Sequence, residues 1–354
     1  STAAAMTLGL IKGRFWRGAR LKCVNLLETY RGGCMAACAY CGLNRLRKGD
    51  RSFIRVSWPS YPLSLILERL CANAIAQRVC ISMVTHARAL DDMLEIARRI
   101  RARSPIPISG LVTPTLVRKD DLARLREAGI DKIGIALDNS NPEVFDRMRG
   151  RARGGPHRYE TYWQRFGEAV EVFGRGQVGT HLILGLGDTE KDMAQAMQRA
   201  HDLGGVNHLF SFFPEKGTDT DHLRPPAVDA YRRVQLAADI IDRGLARADQ
   251  FTFETLTGRI LAFGVPDAVL EQLIADGRPF MTRGCLGGDG EVACNRPFAN
   301  SPPGPGLRNY PFRPDDEDIA RIRRQLAGEW KDEGVMAPVP PPDRSEPRKR
   351  RRRL

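Results

Sequence analysis

The sequence predicts an α/β protein built as a complete or partial (β/α) TIM-type barrel. Three observations lead there. Short β-rich runs alternate with helical patterns through most of the 354 residues, which argues for parallel βαβ units. Six clear repeats and two weaker ones fill about the length such a barrel uses, roughly 250 residues. A knot of cysteines directly follows the first strand, and barrels carry their chemistry in the loops after strands. An open doubly wound sheet is the competing architecture, but no Gly-rich phosphate loop follows the first strand.

The first strand is the apolar run 24–30 (VNLLETY), and residues 62–76 have helical spacing. Residues 78–84 (RVCISMV) form the second strand, followed by an amphipathic helix over 90–103. A third strand at 106–112 precedes a helix at 119–127, and the fourth, 132–138 (KIGIALD), leads past Asn141 into a helix at 142–149. Residues 162–173 are again helical. The fifth strand is 179–185 (GTHLILG) with a helix at 189–203, and the sixth is 208–213 (HLFSFF) with a long helix near 227–243. The weaker strands are 250–254 and 279–282. Residues 301–312 (SPPGPGLRNYPF) should wrap the barrel in extended form, and 315–327 is a charged helix. The expected organisation is a basic N-terminal arm over 1–22 and a barrel over 23–284. A Cys-containing extension and helix over 285–330 and a disordered Pro- and Arg-rich tail over 331–354 complete it.

The net charge of +13 sits at the ends. The first 22 residues and the last 12 each carry an excess of five positive charges, which leaves three for everything between. A nearly neutral body argues against a duplex-binding surface, so nucleic acid is not an expected partner. No apolar run is long enough to span a membrane, and no secretory signal is visible, so the expected location is cytoplasmic.

Three of the eight cysteines read Cys34-Met-Ala-Ala-Cys38-Ala-Tyr-Cys41. This C-x3-C-x2-C spacing lets three thiolates converge from one loop. A structural zinc takes four protein ligands. A four-iron cluster held by three cysteines leaves one iron open for a substrate or cofactor. A zinc loop completed by a distant Cys or His is the competing reading.

With Tyr40 before Cys41, the pattern at the end of a first strand resembles the radical S-adenosylmethionine (SAM) enzymes. The resemblance implies that Cys34, Cys38 and Cys41 hold a [4Fe-4S] cluster whose open iron chelates SAM, giving a 5′-deoxyadenosyl radical that removes hydrogen from an unactivated carbon. It extends further. Leu182–Glu190 (LILGLGDTE) is similar to the fifth-strand segment near the adenine, which brings in Gly185 and Gly187. Leu137-Asp138 is similar to the Leu-Asp pair of the biotin synthase group, whose Asp contacts the SAM ribose. Lys216-Gly217-Thr218 and Arg78-Val79-Cys80 are likewise similar to segments of that group, so the likeness covers roughly residues 24–220. Tyr40, Ser82, Asp138, Gly185 and Gly187 are therefore the candidate cofactor-binding residues. The third strand (ISGLV) has no cysteine, and Gly179 stands where a further cluster cysteine would align. A biotin-type [2Fe-2S] cluster cannot be built in the same way.

Cys285 and Cys294, in a Gly-rich segment, offer a replacement. They are expected on the chemistry side of the barrel, at the end of the weak eighth strand. Period-two alternation puts Cys80, Ser82 and Val84 on one face, so Cys80 can join Cys285 and Cys294 in an auxiliary iron–sulfur cluster. This arrangement resembles two-component lipoyl synthases. The implied function is sulfur insertion into a protein-bound octanoyl chain, with the auxiliary cluster as donor. The implied partners are a lipoyl-domain-type acyl carrier, an electron donor such as ferredoxin or flavodoxin, and a second radical SAM component. The alternatives are a biotin synthase-like mutase, lyase or maturase without sulfur insertion, and a non-enzymatic metal-binding barrel. Cys23, ahead of the first strand, is expected at the opposite end of the barrel with no ligand role. Cys71 is expected in the core, and His181 as a satisfied interior histidine. Ser211 and Glu215 are candidates for the substrate side, and Arg296 for a cluster or carboxylate contact.

Overall fold

A computed structural model describes residues 1–47, 52–294, 301–304 and 306–330. Arg296 and the expected tail over 331–354 lie outside these residues. The chain opens on helix α1 (Thr2–Thr7) and strand β1 (Cys23–Leu27). Then come α2 (Leu63–Cys71), β2 (Arg78–Ser82), α3 (Ala89–Arg101), β3 (Ile108–Val112), α4 (Lys119–Glu127) and β4 (Lys132–Asp138). After these follow α5 (Pro142–Arg149), α6 (Tyr159–Phe173), β5 (Val178–Leu184), α7 (Glu190–Asp202), β6 (Val206–Ser211) and α8 (Val228–Asp242).

β1 to β6 pair in sequence order, every neighbour parallel. The result is a partial barrel. β2 and β3 are buried along their whole length, as strands covered on both faces must be. The helices bury one stripe each. In α3, Met93, Leu94, Ala97 and Ile100 face the sheet, while acids open the helix and arginines close it, matching its dipole.

The two weaker strands do not join the barrel. Residues around 250–254 form only β7 (Thr252–Phe253), which pairs antiparallel with β8 (Ile260–Ala262) in a separate ribbon. Thr252, Glu254 and Leu261 are exposed, so this segment lacks the two apolar faces of a barrel strand. Residues 278–280 form a 3₁₀ turn, and Met281 makes a single bridge to Tyr310. Pro279 supplies no N–H there.

Helices α9 (Asp267–Asp276) and α10 (Asp316–Leu326) complete the described fold. The segment between them is pinned by α8. Arg232, fully buried, donates to Leu307 O and Arg308 O (2.6 Å each) and to Gln325 Oε1 (2.8 Å). At the other end, Ala4 and Ala5 of α1 are buried, and Thr7 Oγ1 donates to Leu21 O (3.1 Å). The first residues thus pack onto the body.

Candidate active site

The inward faces of the strands line two cavities. The first lies toward the C-terminal ends of the strands and encloses about 1200 Å³, partly open to solvent. Leu27, Ser82, Val84, Leu111, Asp138, Ile183 and Phe210 line it, together with Cys34, Tyr40, Cys38 and Cys41 of the loop after β1. Ser211 and Glu215 also face it.

The cysteine loop is shaped by backbone bonds to its neighbours. Gly33 turns in the left-handed region (φ 74°), which only glycine adopts without cost. Met35 N donates to Thr85 O (2.7 Å), Ala39 N to Met148 O (2.8 Å) and Arg45 N to Ala36 O (2.8 Å). Asn44 Nδ2 closes the end by donating to Cys38 O and Cys41 O (3.0 Å each). Two amides point at sulfur: Ala36 N lies 3.4 Å from Cys34 Sγ, and Leu43 N lies 3.4 Å from Cys41 Sγ. Burial pushes the Cys38 thiol up to about 11, with Arg149 pulling the other way. Burial, then Cys38, raises Cys41 as well.

Asp138 is the hub of the opposite wall. It has a left-handed backbone (φ 64°), a strained state for a non-glycine residue. Its Oδ2 accepts from Tyr40 Oη (2.5 Å) and from Arg149 Nη1 (2.6 Å). Arg149 also donates to Ala136 O (2.5 Å), Leu137 O (3.2 Å) and Tyr162 Oη (3.0 Å). Behind it His157 Nδ1 lies 2.8 Å from Thr115 Oγ1 and 3.0 Å from Tyr162 Oη. Burial, then Arg149, holds His157 well below the usual histidine range, so it stays neutral.

The strain at Asp138 is held from the next loop. Asp188, in the turn after β5, accepts from Ser140 N (2.8 Å), Ser140 Oγ (2.9 Å), Asn141 N (2.8 Å) and Asn139 Nδ2 (2.9 Å). Gly185 and Gly187 make that turn, with φ of 113° and 114°. A Cβ on Gly185 would lie 2.8 Å from Pro226 Cδ. The turn they make delivers Asp188 to the β4 loop.

The second cavity lies deeper, beyond a wall of Leu111, His181 and Phe210 that both cavities share. Cys80, Cys285 and Cys294 line it. Cys80 and Ser82 share a face as alternation requires, but Ser82 faces the first cavity. The Cys285–Cys294 segment is not on the side of the Cys34 loop. It folds back on itself, with Cys294 N donating to Cys285 O (3.1 Å), and docks on the starts of β1 and β2. Gly288 N donates to Gln77 O (3.1 Å), Arg78 Nε to Leu286 O (2.5 Å), and Lys22 pairs with Asp289 (2.8 Å). Without an eighth barrel strand, nothing delivers this segment to the C-terminal end. Cys23 sits at that same lower end, as expected, but it packs with Cys80, and Cys294 lies against the pair. It is therefore a fourth cysteine of this group rather than an isolated one. Cys71, expected in the core, is exposed at the end of α2.

Comparison with known proteins bears on both cavities. Residues 30–200 match the model of the Radical SAM superfamily. That stretch, just under half of the chain, marks a radical SAM domain. It is 24% identical over 222 residues to biotin synthase of Bordetella avium, covering 60% of this chain and 64% of that protein. It is 26% identical over 197 residues to biotin synthase of Thermus thermophilus, covering 54% and 55%. The chain thus spans under two thirds of these curated relatives. The crystal structure of HydG, a maturase of the [FeFe]-hydrogenase, aligns with a TM-score of 0.50 and 14% identity over 62% of this chain and 48% of that one; it shares the fold.

A radical SAM domain implies a [4Fe-4S] cluster and SAM, and the residues after β1 suit that cluster. Among the described residues, no three His, Cys, Asp or Glu side chains close on a single ion. A cubane asks for something else, because each thiolate meets a different iron. Cys34, Cys38 and Cys41 border one cavity, with amides already directed at two of the sulfurs. The Cys38 and Cys41 thiols, raised by burial, would release their protons on loading. Arg149 and His157 of this radical SAM site escaped the sequence reading. Arg149 ends a helix, where a basic residue reads as a dipole partner.

Proposed function

We propose that this radical SAM protein is a sulfurtransferase that inserts sulfur at unactivated C–H positions of an octanoyl chain carried on a protein lysine. The observation that carries this reading is two separate cysteine groups bordering one barrel interior, divided by Leu111, His181 and Phe210. Cys34, Cys38 and Cys41 would hold the [4Fe-4S] cluster, and its open iron SAM. Loaded in this way, the site supplies a 5′-deoxyadenosyl radical for hydrogen abstraction, chemistry that belongs to the cofactor. Cys80, Cys285 and Cys294 would hold the auxiliary cluster that serves as sulfur source.

The remaining roles belong to the chain itself. Leu27, Val84, Leu111, Ile183 and Phe210 exclude water and accept an alkyl chain. Tyr40 and Arg149 fix the Asp138 carboxylate, the group that would meet the SAM ribose. Ser82 contributes a hydroxyl to the same wall. A biotin-type ligand set is disfavoured: a Cβ on Gly179 would lie 2.7 Å from His208 Cε1.

The basic segments 1–22 and 343–354 suit an acidic lipoyl-domain carrier. A ferredoxin or flavodoxin would supply electrons, and a second radical SAM component the other insertion. The test is anaerobic incubation of the reconstituted full chain with SAM, reductant and octanoylated carrier protein, followed by mass analysis. A gain of sulfur on the octanoyl chain is expected. It should be lost in Cys285→Ala and Cys294→Ala variants that still cleave SAM, and raised salt should weaken carrier binding. SAM cleavage without sulfur gain by the wild type would move the assignment to a mutase, lyase or maturase.

A further inference from the structure

The second cysteine group carries one step more, resting on the proposed function only for the kind of group bound there. We propose that Cys23 is the fourth protein ligand of the auxiliary cluster, so that Cys23, Cys80, Cys285 and Cys294 form an all-cysteine site.

The strand register brings the first two together. Cys23 pairs with Arg78 and Asn25 with Cys80, so Cys23 and Cys80 are diagonal neighbours on adjacent strands. Both are buried and face inward. They pack with Leu111 and Ala293 in a small cluster apart from the main core, which Val24 joins instead. The folded-back loop then brings Cys285 and Cys294 up from below, where Cys294 packs against the Cys23–Cys80 cluster and both loop cysteines share a cavity with Cys80. That approach depends on Gly284, where a Cβ would overlap Cys294 O. Each clamp on the loop comes from a residue beside one of the strand cysteines: Lys22 next to Cys23, and Gln77 and Arg78 just before Cys80.

Polar groups surround the sulfurs. Asn25 Nδ2 donates to Cys23 Sγ (3.7 Å), and Ser109 hydrogen-bonds to Cys285. Arg78, which holds Leu286 O of the loop, and Ser109, which lines the same cavity as Cys285, stand beside it. A buried cysteine on its own is usually a small core residue. Four of them from three separate segments, ringed by donors and cations, are a ligand set. Three ligands would leave one iron open, as in the Cys34 site; a fourth closes the cluster.

The experiment uses the full chain carrying Cys34→Ala, Cys38→Ala and Cys41→Ala, reconstituted anaerobically with iron and sulfide so that only the second site can load. About four irons per chain are expected. Adding Cys23→Ala should lower iron about two-fold or more, or alter the electron paramagnetic resonance spectrum of the reduced cluster. Adding Cys23→Ser instead, which keeps a small oxygen ligand, should retain iron with a shifted spectrum. The serine variant decides if circular dichroism shows the alanine variant unfolded. Cys71→Ala, an exposed thiol, is the unaffected control. Iron content and spectrum unchanged by both Cys23 substitutions would overturn the proposal. No iron in the background chain, or zinc alone, would sink the auxiliary-cluster reading itself, whatever Cys23 does.

Discussion

At the scale of residues, Arg149 organises the wall facing the cysteine loop. It is buried, yet its guanidinium meets a carboxylate, two backbone carbonyls and a phenol. Removing it leaves the partly buried Asp138 beside Tyr40 without its cation. Arg149→Met should cost about 3–5 kcal/mol in denaturant unfolding, and Arg149→Lys only part of that, since one ammonium cannot serve all four acceptors. Equal midpoints for the wild type and Arg149→Met would refute this account. The sequence exposes this network unevenly. Cys34, Cys38 and Cys41 are legible because their spacing is local. Asp138 is legible as the end of an apolar strand. Arg149 and His157 are not, because their partners arrive from other elements. Cys23 is hidden for the same reason: its neighbours come from a loop near the other end of the chain.

Among the elements, loops hold loops. The turn after β5 carries Asp188 into the loop after β4, where one carboxylate satisfies four donors. Asp188→Ala should destabilise the chain by about 1–3 kcal/mol and speed amide exchange at Ser140 and Asn141. Exchange there at the wild-type rate would show that the carboxylate does not hold the loop. The glycines of the GLGDTE segment also make the turn that presents Asp188. Strands β1 to β6 are legible because two-sided burial writes them as continuous apolar runs. The two weak strands mislead because short apolar stretches such as FTF and PFMT carry no record of their pairing partner. α1 and α9 are too short and too isolated in pattern to stand out.

For the molecule as a whole, a buried acid sets a pH dependence. Glu28, just past β1, is raised from 4.5 to about 9 by burial, with Asp92 adding to it. Below 4.5 both the folded and unfolded chains hold the proton, and its contribution to stability is fully present. Between 4.5 and about 9 the unfolded chain releases a proton that the folded chain keeps. Stability therefore falls as pH rises, by at most ~1.4 kcal/mol per pH unit from this group. Glu28→Gln should raise the melting temperature at pH 8 and lose that advantage toward pH 4. A variant equally or less stable than wild type at pH 8 would contradict this. Among the described residues, no helix is long and apolar enough to cross a membrane.

The folded-back loop beneath the barrel has a consequence for chain topology. Cys23 and Cys294 lie some 270 residues apart in sequence. A group bound between them would act as a crosslink closing about three quarters of the chain into one ring. By loop-closure entropy such a tie is worth about 5 kcal/mol, as much as many domains have in total. A turnover that consumed the group would undo the tie. A spent enzyme would then be measurably looser than a charged one, and recharging it would also mean refastening its first strand to the loop beneath the barrel.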